Sequence, residues 1–124
     1  MTSICIGSAQ FGMPYGVTNQ NGQVSKNEVS KILATAYQLG ITHIDTAQSY
    51  GAAESILGAL CKPHTHFKFT SKLKSFDKSI IEKSDQLVLD HNLEITCKQH
   101  NIQYIDKLHL HNIAHLKYQG TKYL

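Results

Sequence analysis

Short apolar runs alternate along this chain with longer stretches in which apolar residues recur every three or four positions. Ile4 to Gly7 is the first run, and a loop rich in Gly, Asn and Gln follows it through Gly22. Ser25-Lys-Asn-Glu28 then has the form of a capping box, in which hydroxyl and carboxylate each satisfy an orphan amide. Val29, Ile32, Leu33, Ala36, Tyr37 and Leu39 recur behind it at helical spacing, and Gly40 is placed to end the helix. Ile41 to Asp45 predicts a second strand. Ala52 to Cys61 predicts a second helix with Ile56, Leu57 and Leu60 on one face, stopped by Pro63. Phe67 to Ser71 reads as a third strand and Tyr104 to Leu110 as a fourth; Lys78 to His100 between them holds one or two helices.

Strands that alternate with helices call for an α/β fold built from parallel (β/α) units with right-handed crossovers. The first strand-helix junction has no GxGxxG. Its place is taken by GSAQFGMPYG, residues 7 to 16, which is too long and too aromatic for a pyrophosphate turn. A dinucleotide-binding doubly wound sheet is therefore disfavoured.

Composition narrows the class. A chain of 124 residues has room for one domain, spanning 1–124, with a modest core. Hydrophobic content of 41% and charged content of 17% belong to an ordinary globular protein and exclude disorder. The net charge of +3 comes from scattered lysines, without any Arg, so no nucleic-acid footprint is expected. No stretch is long and apolar enough for a transmembrane helix, and MTSICIGSAQ lacks the layout of a signal peptide. Cys5, Cys61 and Cys97 stand far apart, which predicts free, mostly buried thiols in a reducing cytoplasm.

Candidate chemistry lies at the strand ends. Asp45 and Tyr50 follow strand two, Lys72 follows strand three in FTSKL, and His111 follows strand four in LHLHN. In parallel α/β folds that end of the sheet is where sites are built. A phenol is a weak acid at neutral pH, and a neighbouring cation stabilises its phenolate. Moving such a pKa by about 2 units takes about 3 kcal/mol, which a close ammonium can supply. Asp45 would hold Lys72, and His111 would donate to a carbonyl oxygen beside Tyr50. Each residue also has a plainer role: Asp45 as a helix cap, Tyr50 as packing, Lys72 as solvated surface, His111 as a structural imidazole. The pairs His64-x-His66 and His109-x-His111, with His115 nearby, have ligand-like spacing, but no Cys or carboxylate stands beside them, so no metal is expected.

HIDTAQSYGAAESILG, residues 43 to 58, resembles the signature of the aldo-keto reductases. The lysine of FTSK, the histidine closing YIDKLHLH and the opening SAQFGMPYG are similar to that family in the same order, from about residue 4 to 112. The resemblance implies a partial TIM-type (β/α)8 barrel truncated after about four strands. It also implies NADPH as cofactor, an aldehyde or ketone as small carbonyl substrate, and Asp45, Tyr50, Lys72 and His111 as the catalytic residues, with Tyr50 the general acid. The family's main cofactor-binding positions would lie beyond Leu124, and the tail KYQGTKYL has no counterpart in it. Half a barrel should expose two strand edges and a strip of apolar interior, and so self-associate or pair with a missing C-terminal half. A catalytically inactive half-barrel and a His-based metal module are the alternatives.

Overall fold

The computed structural model describes residues 4–61 and 67–124. Pro63, His64 and His66 lie outside the described residues. Strands β1 (Cys5–Gly7), β2 (His43–Asp45), β3 (Lys68–Leu73) and β4 (Lys107–Leu110) pair in sequence order, all parallel. Between them run α1 (Ala9–Gly12), α2 (Lys26–Gln38), α3 (Ala53–Leu60) and α4 (Lys83–His100), and two 3-10 turns, Ile113–Lys117 and Thr121–Tyr123, close the chain. The predicted order holds. The 78–100 segment contains a single helix, α4, and one helical turn, α1, lies inside the first loop.

Local chemistry sets the helix ends. Ser25 Oγ accepts from the Glu28 N–H at 3.3 Å and caps α2. Only that half of the expected capping box forms, because the Glu28 carboxylate takes Lys31 at 3.4 Å on the exposed helix face. Gly40, at a φ of 72°, follows α2 in the left-handed region. Lys78 clamps the start of α4, reaching Glu82 at 3.1 Å and Asp85 at 2.8 Å.

Register divides the sheet into two faces. Ile6, Ile44 and Phe69 are paired across β1, β2 and β3 and pack with Val29, Leu33, Ile56 and Leu57. Leu57 and Val29 are fully buried, and burying a side chain of that size contributes about 1.5–3 kcal/mol. The opposite face carries Cys5, His43, Asp45, Lys68, Thr70, Lys72, Lys107 and His109. This corrects the expectation of an exposed apolar interior: the uncovered face is polar. Its Cys5 is exposed rather than buried, for among the described residues no helix covers that side of β1.

Apolar exposure falls on the flanks instead. Beside β1, Ile6, Ile32, Ala36, Leu39 and Ile41 line an open groove of about 300 Å³. At the other end Leu87, Val88 and Leu108 are exposed. These are the two places where further strand-helix units of a barrel would pack.

The tail is an integrated part of the fold. Ile81 donates its N–H to the Gln119 carbonyl at 2.7 Å, and Gln119 donates to Ser79 at 3.2 Å. His115 is buried between the rings of Phe76 and Tyr118, with centroids at 5.5 and 5.0 Å, and its Nε2 accepts from the Phe76 N–H at 3.4 Å.

Helices α3 and α4 meet at Gly58, where an added Cβ would strike the Gln99 carbonyl and crowd His100. Gly58→Ala should therefore lower stability by about 1–2 kcal/mol in urea unfolding, overpacking outweighing the helix-propensity gain. Gly7→Ala, whose methyl meets open space, should stay within about 0.5 kcal/mol.

Candidate active site

The strand ends bring the four singled-out side chains to one rim. Asp45 is the last residue of β2, and Lys72 lies two residues beyond Thr70, its partner on β3. That offset lets the long lysine reach back across the sheet. Lys72 Nζ donates to Asp45 Oδ2 at 2.5 Å and to the Thr46 carbonyl at 3.1 Å. It also sits 5.0 Å from the centre of the Tyr50 ring. His111 follows β4 and meets Tyr50 edge-on, with ring centroids 6.4 Å apart, while its Nδ1 lies 3.5 Å from Ser49 Oγ. Tyr50 thus has both an ammonium and an imidazole beside its ring.

Asp45 does not cap α3. Ala52 occupies the cap position and makes no side-chain cap bond. The loop from Thr46 to Ala52 instead turns at Gly51, whose φ of 55° is left-handed and whose backbone lies against Gly12. A side chain at either glycine would push this loop off α1.

Electrostatics at the rim centres on Lys72. Burial pushes its pKa down, but the Asp45 carboxylate and Tyr50 outweigh that and leave it above the ordinary lysine value. The cysteines are quiet by comparison: burial raises the thiol of Cys61 to about 11. Among the described residues no group of three or more His, Cys, Asp or Glu could hold a metal ion. His109 and His111 are exposed at the end of β4.

One group of residues escaped the sequence reading. Glu54, the acidic residue in the first turn of α3, is 2% exposed. Its Oε1 accepts from Ser71 Oγ and its Oε2 from Thr96 Oγ1, both at 3.2 Å. Gln48 Nε2 donates to Thr96 Oγ1 at 2.8 Å and to the Asn92 carbonyl at 2.7 Å. His100 Nε2 lies 3.4 Å from Glu54 Oε1, within ion-pair range but without hydrogen-bond geometry. A signal was available: at helical spacing Glu54 shares a face with Leu57 and Gly58, so it had to point inward.

Comparison with known proteins follows this geometry. The profile of the aldo/keto reductase family matches residues 3–120. The chain belongs to the aldo/keto reductase family. Its fold is similar to that of an aldo-keto reductase from Pseudomonas aeruginosa, with a TM-score of 0.71 and 24% identity over 94% of this chain and 47% of that one. It is also similar to an aldo/keto reductase from Brucella melitensis (TM-score 0.54, 21% identity, 86% of this chain and 35% of that one). A third is a structure named as 2,5-diketo-D-gluconic acid reductase B (TM-score 0.55, 22% identity, 86% and 32%). No curated protein matches it. The chain spans about half the length, or less, of the solved relatives it matches, and the family profile takes in part of the tail that the sequence reading left without a counterpart. Its four parallel strands are part of a TIM-type barrel.

Family membership implies NADP(H), and the described residues do not fit that group. A diphosphate is held by free cations or bare helix N-termini. Here α2, α3 and α4 each carry a carboxylate in the first turn, Glu28, Glu54 and Asp85. Of the lysines near the rim, Lys72 is already engaged by Asp45 and Thr46, and Lys74 lines the pocket beside Ser49 and Gly51 without a second cation. Among the described residues the rim gathers the four-residue cluster, and no group of free cations with a bare helix N-terminus stands beside it.

Because Lys72 has a raised folded-state pKa, its contribution to stability is complete below the unfolded lysine value, about 10.4, and is lost as pH rises through the folded value. Asp45→Asn removes the carboxylate responsible. The stability gap between wild type and Asp45→Asn, measured by urea unfolding, should be constant at neutral pH and narrow above about pH 10.4.

Proposed function

We propose that this chain carries the proton-donor half of an NADP(H)-dependent carbonyl reductase of aldo-keto reductase type, acting on an aldehyde or ketone. The observation that supports the reading is the engagement of Lys72 with Asp45 directly beside Tyr50, with His111 edge-on to the same ring. In it, Tyr50 gives its hydroxyl proton to the carbonyl oxygen. The positive charge of Lys72 favours the phenolate left behind, and Asp45 keeps that charge in place. His111 hydrogen-bonds the same oxygen and fixes its position beside Tyr50. A solved structure of similar fold is named as a diketo acid reductase, whose name places a carbonyl compound at its own site.

The same residues set a condition. The open edges of β1 and β4 and the apolar flanks beside them support a reading in which a second half-barrel completes the fold and supplies the cofactor grip. The rival reading is a non-catalytic half-barrel, favoured by the acidic first turns of its longer helices.

The purified chain, assayed with NADPH and a panel of aldehydes and ketones over a range of protein concentrations, separates the two. Carbonyl-dependent NADPH oxidation should appear once a C-terminal half of an aldo/keto reductase barrel is added, and rise with the amount of that half. Tyr50→Phe should lower its rate by about 100-fold or more while sparing cofactor binding. Absence of NADPH oxidation at every concentration would sink the enzymatic reading in favour of the inactive half-barrel.

A further inference from the structure

We propose that Glu54 is a positioning residue for the Lys72–Tyr50 pair: its buried carboxylate ties together the strand, loop and helix on which that pair depends. The inference deepens the reading above and rests on it for its functional meaning, though not for its test.

Three connections converge on this side chain. Ser71 precedes Lys72 in β3, and its hydroxyl points to the helix side, where Glu54 Oε1 receives it at 3.2 Å. That bond sets where β3 sits against α3, and hence where Lys72 emerges on the opposite face. Thr96 of α4 donates to Glu54 Oε2 at 3.2 Å and accepts from Gln48 at 2.8 Å. Gln48 lies between Asp45 and Tyr50, so the chain of bonds from Glu54 through Thr96 holds the Tyr50 loop to α4. The backbone of α4 comes close enough for this only because Gly58 has no side chain.

The arrangement is costly unless complete. Ser71, Thr96 and Glu54 are all almost fully buried, and a buried donor left without its acceptor costs about 1–3 kcal/mol. Truncating Glu54 orphans two hydroxyls at once. The cheapest relief is for the 46–52 loop and the end of β3 to move toward water, which pulls Tyr50 and Lys72 apart. Glu54 touches no reacting atom in this scheme; it acts through Ser71 and through Thr96 with Gln48.

Residue-resolved acetylation reads the effect without any enzymatic activity. The intact chain is treated briefly with acetic anhydride at graded pH, and each lysine's labelling is quantified by mass spectrometry. Lys72, held by Asp45, should label several-fold more slowly than exposed Lys26 in the wild type. In Glu54→Ala it should approach the rate of Lys26. Glu54→Gln, whose amide can still meet one hydroxyl as acceptor and the other as donor, should keep Lys72 near its wild-type rate. Leu57→Ala is the control, destabilising the same helix by a core cavity outside the network. An unchanged Lys72 rate in folded Glu54→Ala, or an equal rise in Leu57→Ala, would overturn the proposal. Should Glu54→Ala fail to fold, Thr96→Val, which removes one donor, is judged by the same criterion. A protected Lys72 with no carbonyl reduction would leave the positioning role standing and remove the catalytic reading.

Discussion

Every strand in this sheet runs the same way, and the remaining features depend on that constraint. Parallel strands deliver the residues past their carboxyl ends to one rim, so Asp45, Lys72 and His111 become neighbours although they lie far apart in the chain. The register of β2 on β3 then sets the reach. Asp45 is level with Thr70, leaving Lys72 one pleat beyond it on the same face, the distance a lysine side chain can cover backward. A shift of one residue would turn Lys72 toward the helices.

Holding that register needs support from the other side of the sheet. Apolar packing of Ile44 and Phe69 on α2 and α3 supplies most of it without direction. Glu54 adds direction, because hydrogen bonds fail steeply when distance or angle changes. The helix-facing Ser71 and the rim-facing Lys72 are adjacent on one strand, so a constraint on one is a constraint on the other. A polar network at the helix side thereby shapes chemistry at the open side.

The open face and the flanks have different characters. The face bearing Asp45, Lys68, Lys72, Lys107 and His109 is polar and tolerates water, whereas the groove beside β1 and the exposed Leu87, Val88 and Leu108 are apolar. Among the described residues the polar face suits contact with water, and the vulnerable places are the edges of the sheet. The tail lessens exposure at one corner by adding Gln119 beside Ile80 and inserting His115 between two rings.

By itself the sequence determined the order of elements, the parallel class, the family likeness and the four rim residues. Hydrophobic period, Ser25, Gly40 and the strand-end polar residues are local signals, each readable within a few positions. Tertiary structure alone decided how the four side chains meet, that Asp45 caps nothing, and that the uncovered face is polar. It also made Glu54, whose inward direction helical spacing indicates, the centre of a buried network by bringing Ser71 and Thr96 to it. Those outcomes depend on which side of a strand faces helices and on how closely α4 approaches α3 at Gly58, relations between residues distant in the chain that no local pattern encodes. The tail shows the same limit, since its bonds to residues 79–81 exist only once α4 and β4 have brought the two segments together.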